Sequence, residues 1–464
     1  NLVERNLDRF SRLNRTYYQD LHRIHRLLVP ESSRILQIGC GQGDLLASLN
    51  PDIGVGIETN PALAAAAQER HQDLQIHQLD VGMIGQQALN NPGTFDVIVL
   101  TNILNTLPDV QDLLQRLEAF CHERTRLVIS FHNWLWQPAL KTAEKAGLRQ
   151  QQPPESWLTP NDVRNLLDLS GWEVLKSGHR CLLPRHIPLL TPLLNRWGSQ
   201  LPLLEQLGLT HWMVARPIRQ QPQQPSVSVV IPARNEAGNI AAAIDRLPPL
   251  GSSTEVIFVE GHSSDHTWDE IQRVCSTYTG PMQLRCFQQT GKGKADAVWL
   301  GFEEAKGDIL IILDADLTVR PEDLPRFIEA LAIGRGEFVN GCRLVYPRSD
   351  AAMPPLNTAA NRTFAALFSW LLRQRLKDTL CGTKAIWKKD YENLKRGRAY
   401  FGDFDPFGDF DLLFGASKLN LKIVEVPVRY QERTYGSSNI AHVKEGLILA
   451  RMCGYAARKL RFIP

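Results

Sequence analysis

The sequence predicts an α/β protein built from two Rossmann-like domains, one in each half of the chain. Short apolar, β-branched runs alternate with amphipathic stretches throughout, as expected for parallel sheets covered by helices. Several of these runs end in glycines or acids, and the carboxyl ends of parallel strands are where open α/β sheets bind ligands. The 464 residues also exceed the size of one ordinary hydrophobic core, so at least two domains are expected.

The composition excludes several classes of protein. Apolar residues make up 43% of the chain and charged residues 22%, which is typical of a globular protein. The net charge of +3 gives no reason to expect nucleic acid as a partner. Eight scattered cysteines without a CxxC pair suit a reducing compartment and argue against a structural zinc site. No apolar run of about 18 residues predicts a membrane-spanning helix. The opening NLVERNLDRF lacks the apolar region of a signal peptide, so a cytoplasmic location is expected.

The first half opens with a helical pattern over residues 1–28, which Pro30 ends. A short apolar strand then runs from Arg34 into a turn, and a helix begins at Asp44. The turn contains three glycines, Gly39, Gly41 and Gly43. Glycines there allow a tight turn and let a ligand approach the backbone at the positive end of the helix.

Further strands follow in the first half. The run 55–58 ends in Glu58, and a carboxylate at this spacing can accept hydrogen bonds from both hydroxyls of a ribose. Asp80 follows the next run. Two more strands are expected at 95–100 and 126–130, with an amphipathic helix at 110–120 between them.

These motifs resemble those of the class I S-adenosylmethionine (SAM)-dependent methyltransferases. The match rests on IGCGQGDLL, on the acids after the next two strands and on FDVIVLTNILNTLPD, over about residues 34–216. The resemblance implies a SAM cofactor, with Glu58 at its ribose, Asp80 near its adenine, and the glycine turn around its methionine part. It also implies a terminal hairpin from strands near 172–182 and 211–216. The Pro- and Leu-rich insertion 184–209 between them is expected to form a lid or a docking surface.

The methyl acceptor stays open at this stage. Five residues lie where acceptors bind in the family, namely Asn102, Asn105, His132, Asn133 and Trp134. No catalytic base stands out among them, but methyl transfer needs little beyond positioning because the sulfonium is already activated. The alternative is a domain that binds SAM without turning it over.

Residues 217–225 are rich in Gln and Pro and are interpreted as a linker.

In the second half, four segments with polar residues at strand ends or in glycine loops each lead into a helix, so we expect them to converge on one sheet edge. One of these ends is Asp314-Ala315-Asp316, after the strand 309–313. Two close carboxylates do not both stay ionised without a cation nearby, so the interpretation is a divalent-metal site that holds a diphosphate. A solvated strand end followed by a helix cap is the alternative.

The second half resembles the family 2 glycosyltransferases of the GT-A fold. The match rests on VVIPARNEAGNI, EVIFVEGHSSDHT and LDADLTVRPEDL, and with the later segments it covers about residues 226–439. It implies a UDP- or GDP-hexose donor and a Mg²⁺ or Mn²⁺ ion on Asp314 and Asp316. The donor-binding candidates are Pro232, Ala233, Asn235, Glu236, Glu260, Ser263, Asp265, Lys292 and Asp314. Family members carry two aspartates where this chain has Glu260 and Gly261, which leaves the nucleotide base open.

The segments NGCRLVYPR, KDTLCGTKAIWK and EVPVRYQERTYGSSNI resemble the dolichyl- or polyprenyl-phosphate mannosyl- and glucosyltransferases. Asp316, Arg343 and Arg433 are catalytic candidates, since guanidinium groups suit phosphates. A lipid phosphate acceptor is already an anion and needs no general base, whereas a glycan or lipid hydroxyl does. Asp409 and Asp411 are the candidate bases, with helix capping as their alternative role.

Two segments have the composition of membrane-contacting helices. Residues 441–464 mix apolar residues with five bases and one acid, as in a basic amphipathic helix on an anionic membrane face. The alternative is a helix packed on its own domain. A second apolar cluster either enters the headgroup layer or closes a core, and it comprises Phe364, Leu367, Phe368, Trp370 and Leu371.

The prediction is therefore a bifunctional transferase, peripheral on the cytoplasmic membrane face if the C-terminal helix binds lipid. Its expected parts are a methyltransferase domain (1–216), a linker (217–225), a glycosyltransferase domain (226–440) and a C-terminal helix (441–464). The second domain transfers a hexose to polyprenyl phosphate in one in-line displacement, or to a hydroxyl acceptor as the alternative. The first methylates an unknown acceptor, or serves as a non-catalytic SAM-binding module.

Overall fold

The structure, a computed structural model, describes residues 9–150, 155–218, 223–347, 355–400, 408–433, 435 and 442–462. Side chains at 355–357, 399, 409 and 442–447 are outside the description. The chain divides into two compact units, Asn1–Ile218 with Arg461–Pro464, and Arg219–Leu460. Each unit contains one seven-stranded sheet with helices, so the predicted α/β class is confirmed.

Besides the helical residues 9–13, the described part of the first unit comprises seven strands and eight α-helices. The strands are β1 Arg34–Ile38, β2 Ile53–Glu58, β3 Gln75–Gln78, β4 Phe95–Thr101, β5 Cys121–His132, β6 Trp172–Arg180 and β7 Thr210–Pro217. The helices are α1 Arg15–Leu28, α2 Asp44–Ser48, α3 Pro61–Arg70, α4 Val110–Arg116, α5 Gln137–Lys145, α6 Pro160–Leu169, α7 Leu190–Pro192 and α8 Pro202–Glu205.

The first sheet has the order β3-β2-β1-β4-β5-β7-β6. Strands β3, β2, β1, β4 and β5 are parallel, so their carboxyl ends lie at one edge. Strand β7 runs antiparallel to both β5 and β6, which confirms the predicted terminal hairpin. Strand side chains alternate between two apolar clusters, with Leu36 and Ile38 in one and Ile35 in the other.

The second unit has its own strands and helices. The strands are β8 Val227–Ala233, β9 Thr254–Glu260, β10 Gln283–Gln288, β11 Ile309–Ile312, β12 Phe338–Cys342, β13 Lys384–Trp387 and β14 Ile423–Pro427. The helices are α9 Ile240–Arg246, α10 Thr267–Thr277, α11 Lys294–Glu304, α12 Leu324–Ala332, α13 Pro355–Leu372, α14 Lys388–Arg396, α15 Asp409–Lys418 and α16 His442–Leu460.

The second sheet has the order β10-β9-β8-β11-β13-β12-β14. Strands β10, β9, β8 and β11 are parallel, while β13 is antiparallel to β11 and β12. Three of the predicted ligand-facing strand ends, on β9, β8 and β11, are therefore neighbours on one edge. Residues on the two sheet faces again belong to two apolar clusters, with Val230 in one and Val229 and Ile231 in the other.

Helices α13 and α16 resolve two alternatives that the sequence leaves open. On α13, Phe368 and Leu371 are buried, and Phe364, Leu367 and Trp370 pack partly buried against the same cluster, so the apolar set closes a core. On α16, Leu449, Met452, Cys453 and Ala456 share one face and belong to that cluster too. The apolar stripe of the C-terminal helix therefore packs into the core of the second unit. No described helix is long and apolar enough to cross a bilayer.

Candidate functional site

The glycine turn of the first unit adopts backbone conformations that favour glycine. Gly39, Gly41 and Gly43 all have left-handed φ angles, of 70°, 58° and 82°. A Cβ at Gly39 would lie 2.5 Å from Cγ2 of Ile103, whereas one at Gly41 would meet nothing within 4 Å. The turn is therefore packed on one side and open on the other. The helix that follows it is the predicted one but has only five residues, Asp44–Ser48, so its dipole contributes little.

Glu58 lies beside this turn, at the end of β2. Its Oε2 accepts a hydrogen bond from the Gly41 N–H at 2.8 Å, and its Oε1 accepts one from the Asn60 N–H at 2.9 Å. Each carboxylate oxygen has more than one lone pair, so both still accept hydrogen bonds from a ligand diol. The open side of Gly41 and the fixed carboxylate fit a nucleoside of the SAM type.

Asp80 is exposed and begins the short turn after β3. Its Oδ1 accepts a hydrogen bond from the Gly82 N–H at 2.8 Å, which holds the side chain at the loop start. Because β3 lies next to β2, Asp80 and Glu58 follow adjacent strand ends. The predicted SAM-binding residues therefore share one edge of the first sheet, and their ligand roles stay predictions.

A buried polar network lies at the end of β4. Asn102, with a left-handed φ of 55°, donates from Nδ2 to Tyr17 Oη at 2.7 Å. Tyr17 in turn lies 3.2 Å from Nε2 of His132. Burial lowers the pKa of His132 to about 3, so the ring is neutral where it shares a hydrogen bond with Tyr17. Tyr17 is not predicted as a site residue from the sequence, because its helical spacing indicates only packing.

The other three acceptor-site candidates have different surroundings. Asn105 is buried, and its Oδ1, like that of Asn102, has no hydrogen-bond partner within the described part of the chain. Asn133 is committed to structure, since its Nδ2 donates to the carbonyls of Gln206 and Gly208. Trp134 is 47% exposed. The unpaired amide oxygens are consistent with a polar ligand at this edge.

In the second unit, the loops after β8 and β9 are bound to each other. The Asn235 N–H donates to Ser263 Oγ at 3.0 Å, and Asn235 Oδ1 accepts from the Ser264 N–H at 2.8 Å. Asn235 has a left-handed φ of 56°. The two loops therefore form one polar rim, directly after Pro232 and Ala233 at the end of β8.

The acids of this rim are fixed by backbone hydrogen bonds. Burial opposes ionisation of Glu260, but hydrogen bonds from Ser263 and Gln288 outweigh it and lower the pKa. Burial likewise opposes ionisation of Asp265, and hydrogen bonds from Thr267 and Ala237 lower its pKa. Both side chains are held ionised as hydrogen-bond acceptors at the rim.

Arg433 joins the rim to the aspartate pair. Its Nη1 donates to Glu236 at 2.9 Å and its Nη2 donates to Asp316 at 2.7 Å. Burial raises the pKa of Glu236 to about 7, against the effect of Arg433 and of a hydrogen bond from Asn239. The structure therefore brings together three predicted residues, Glu236, Asp316 and Arg433. Gly436 and Ser438 of the same closing motif lie outside the described residues.

Asp314 pairs with Lys294, which lies two residues after the donor-binding candidate Lys292. The Nζ of Lys294, the first residue of α11, lies 2.5 Å from Asp314 Oδ1, while Lys292 is exposed. Burial opposes ionisation of Asp314, and the Lys294 ammonium outweighs it, so the pKa is lowered. Gly382 faces this pair, since a Cβ there would overlap both charged groups. Both lysines lie in the sequence Gly291-Lys292-Gly293-Lys294. Only Lys294 is the first residue of the helix.

The aspartate pair offers two carboxylates and no larger protein cage. Within the described residues, no group of three or more His, Cys, Asp and Glu side chains is arranged to hold a metal ion. Thr318 Oγ1 donates to Asp316 Oδ1 at 2.8 Å and so orients that carboxylate. Two hard oxygen ligands fit Mg²⁺ or Mn²⁺, which retain waters and take further oxygens from a bound phosphate. The two carboxylates therefore fit a metal ion whose remaining ligands come from water and from the substrate.

Arg343 is held by a buried partner that the sequence analysis missed. Its Nε and Nη2 donate to the two oxygens of Asp378 at 2.8 and 2.9 Å. Asn361 of α13 donates to the same carboxylate at 2.7 Å. Asp378 lies in KDTLCGTKAIWK, a segment that carries the family resemblance but in which no role was predicted for Asp378. The predicted phosphate clamp therefore has a fixed guanidinium, with two of its donors used internally.

The candidate bases lie at the start of α15. Asp411 is buried, and its carboxylate lies 3.8 Å from Nε of Arg398. Asp409 is the first residue of the helix, and its side chain is outside the described part of the chain. A guanidinium nearby stabilises the ionised form of a carboxylate and so weakens it as a base. The geometry of Asp411 therefore does not favour a hydroxyl acceptor.

Comparison with known proteins finds a match to a transferase domain in each half of the chain. Residues 228–393 match the model of glycosyl transferase family 2, and residues 10–177 match that of a methyltransferase domain. Both predicted resemblances are confirmed. The fold is thus a class I methyltransferase sheet followed by a GT-A sheet.

Curated relatives match the second half. The dolichol-phosphate mannosyltransferase of Pyrococcus furiosus is 37% identical over 221 residues, which is 46% of this chain and 59% of the relative. An undecaprenyl-phosphate 4-deoxy-4-formamido-L-arabinose transferase of Edwardsiella ictaluri is 27% identical over 222 residues, or 47% and 64% of the two chains. This chain thus spans less than two thirds of the length of either relative.

Among solved structures, a SAM-dependent methyltransferase from Thermotoga maritima is similar to part of the chain. It has a TM-score of 0.36 and 17% sequence identity, and the alignment covers 46% of this chain and 94% of the other.

Proposed function

We propose that the chain is a bifunctional transferase. Residues 226–440 transfer a hexose from a nucleotide sugar to polyprenyl phosphate, and residues 1–216 transfer the methyl group of SAM to an acceptor that stays unassigned. Residues 217–225 link the two domains, and the helix His442–Leu460 belongs to the second one.

One observation supports the glycosyl transfer above all others. The ends of β9, β8 and β11 place an ionised rim, Glu260 and Asp265, beside the acid pair Asp314 and Asp316. A nucleotide sugar needs both parts, since its base and ribose are recognised by hydrogen bonds and its diphosphate by charge. The 37% identity to a dolichol-phosphate mannosyltransferase supports the same class of donor and acceptor.

Each charged residue has a proposed task in this reaction. Asp314 and Asp316 hold the divalent ion, which when bound neutralises the charge that develops on the leaving diphosphate. Lys294 and Arg433 form ion pairs with the two carboxylates and orient them before substrate arrives. Arg343, fixed by Asp378, presents a positive charge to a phosphate at this edge.

A phosphate acceptor is the better match to this site than a hydroxyl. The oxygen of a polyprenyl phosphate is anionic at neutral pH and attacks without losing a proton. The buried Asp411, beside Arg398, is not arranged as a general base. Asp411→Asn is therefore expected to leave kcat within about threefold of wild type, as is Asp409→Asn. A loss of more than about a hundredfold in either variant would favour the hydroxyl acceptor.

The decisive experiment is a donor screen with UDP- and GDP-hexoses and a short polyprenyl phosphate, with and without Mn²⁺. We expect metal-dependent turnover with one donor, and a fall in kcat/KM of about a hundredfold or more in Asp316→Asn. Asp245→Asn, on α9 and away from the pair, is the matched control. The assignment would be refuted if the wild type showed no donor binding and no metal-dependent turnover.

The methyl transfer is tested at Glu58. Glu58→Gln keeps the shape but replaces one acceptor oxygen by a donor, so SAM is expected to bind about tenfold to a hundredfold more weakly in calorimetry. Glu69→Gln on the exposed side of α3 is the control. If Glu58→Gln bound SAM as tightly as the wild type, Glu58 would not be part of the SAM site. SAM binding without methyl transfer to any lipid or glycan of a cell extract would favour the binding module.

A further inference from the structure

The insertion between β6 and β7 has inverted polarity. Over residues 184–209, large apolar side chains face solvent, with Leu189 88% exposed, Leu203 84% and Leu193 58%. The same stretch exposes Ile187, Leu190, Trp197, Leu201, Leu204 and Leu207. We call these nine residues the leucine surface. Isolated exposed leucines are ordinary, but nine large apolar side chains exposed within one insertion mark an interaction site.

Polar side chains hold this insertion together from inside. Asn195 is buried, donates to the Leu183 carbonyl and accepts from the Leu183 N–H, both at 2.8 Å. Thr191 is buried too, donating to the Arg185 carbonyl and accepting from the Ile187 N–H, each at 2.8 Å. Because the polar groups satisfy one another, the apolar groups are directed outward by the fold itself.

The leucine surface continues onto the segment after β5. The indole of Trp136 donates to the Leu207 carbonyl at 2.8 Å, and Asn133 donates to the Gly208 carbonyl at 3.0 Å. Trp134 and Leu135 lie in this docked segment and are 47% and 45% exposed. The apolar face is therefore held by two separate parts of the chain.

The basic residues of the insertion are Arg185 and Arg196. Arg185 is exposed, and the Arg196 guanidinium lies 5.7 Å from the centre of the Trp197 ring. The single acid of the insertion, Glu205, is largely buried and accepts from the His179 N–H at 3.2 Å. An apolar face of Leu and Trp with basic neighbours is suited to an anionic bilayer, where apolar groups enter the acyl boundary and bases meet headgroups.

We propose that the leucine surface docks the first unit onto an anionic phospholipid bilayer. The helix α16 does not supply this contact through its apolar stripe, because that stripe is buried in the second unit's core. Docking is independent of either transfer reaction, so it is measured without SAM, donor or metal.

The test is flotation of the full chain with vesicles of phosphatidylcholine alone or mixed with phosphatidylglycerol. We expect binding to the anionic vesicles and a partition coefficient at least about tenfold lower in the triple variant Leu189→Asp, Leu193→Asp, Leu203→Asp. Leu169→Asp is the matched control, because Leu169 is 59% exposed on α6, outside the insertion, and should leave binding unchanged. Far-UV circular dichroism checks that each variant is folded.

Three results would overturn the proposal. The first is that the wild type does not bind anionic vesicles. The second is that the triple variant binds as well as the wild type, which would place the contact elsewhere. Light scattering that shows a wild-type dimer abolished in the triple variant, with no vesicle binding, would assign the face to a second copy of the chain.

Discussion

Gly382 is the residue at which the smallest change has the clearest expected effect. Its missing side chain leaves room for the Asp314 carboxylate and the Lys294 ammonium, and a Cβ there would overlap both. Both overlapping groups are ends of flexible side chains, so Gly382→Ala should move them rather than unfold the unit. We expect donor affinity in the presence of Mn²⁺ to fall about tenfold, with the free energy of unfolding changed by less than about 1 kcal/mol.

Calorimetric donor binding and urea unfolding check the two halves of this prediction. Gly397→Ala is the matched control, because a Cβ there would meet its nearest atom at 3.7 Å. Unchanged donor affinity in Gly382→Ala would show that the geometry of the Asp314–Lys294 pair does not matter for binding.

A buried histidine should make the first unit sensitive to acid. His25 is fully buried, its Nδ1 donates to the Leu21 carbonyl at 2.8 Å, and burial lowers its pKa to about 4. An unfolded histidine titrates near 6.5, so as pH falls from about 6.5 to 4 the unfolded state gains a proton that the folded state refuses. Stability is thus lost on acidification, by roughly 2 kcal/mol at about pH 5.

The measurement is the difference in urea midpoints between wild type and His25→Gln across pH. Glutamine does not titrate, so the variant is expected to lose less stability between about pH 7 and pH 5 than the wild type. Parallel curves for the two proteins would mean that His25 is protonated equally in both states.

At the residue scale, the sequence predicts groups that lie within one motif and misses partners brought from elsewhere. Gly39 to Gly43, Glu58, and the pair Asp314 and Asp316 follow strand ends, so spacing alone locates them. Asp378 meets Arg343 across 35 residues of chain. Tyr17 meets Asn102 across 85. Such pairs depend on which strands become neighbours, and no local pattern encodes that.

Helix α13 shows how an apolar segment that suits a membrane face serves a core instead. Phe368 is fully buried and lies 4.5 Å from the ring of Phe410 and 5.0 Å from that of Phe414. Phe368→Ala is expected to lower the free energy of unfolding by about 3–5 kcal/mol, because it removes a large side chain and leaves a cavity. Ile333→Ala, at a site 41% exposed, should cost less than about 1 kcal/mol.

Urea unfolding of the two variants decides between a core helix and an interfacial one. If Phe368→Ala and Ile333→Ala are equally stable, α13 does not close the core. The sequence leaves this question open because the same Phe, Leu and Trp residues suit both environments. Only the packing partners, supplied by α15 and α16, distinguish them.

At the scale of elements, strand prediction succeeds where one apolar run is bounded by turn residues. Strands β1, β2 and β4 are of this kind. The strand β10 was not predicted from the sequence, since its pattern QLRCFQ is half-exposed and mixed in polarity. It pairs with β9 at the sheet edge, where one-sided burial weakens the apolar signal.

At the scale of the whole molecule, each unit encloses its own apolar clusters and carries its own candidate site. A ligand that binds only the folded state stabilises the part of the protein that forms its site. SAM at about 100 times its Kd should therefore stabilise the first unit by about 2.7 kcal/mol, and a metal–donor pair should do the same for the second.

Hydrogen exchange followed by mass spectrometry separates the two responses, because peptides from 34–217 and from 227–427 are read independently. We expect SAM to slow exchange in the first set alone, and donor with Mn²⁺ to slow it in the second set alone. Glu58→Gln should abolish the first response and keep the second, and Asp316→Asn should do the reverse. Protection of the second set by SAM would instead mean that the two sites are energetically coupled, since such coupling is reciprocal. The paired variants distinguish that outcome from a single site shared by both ligands, because a shared site would lose both responses in either variant.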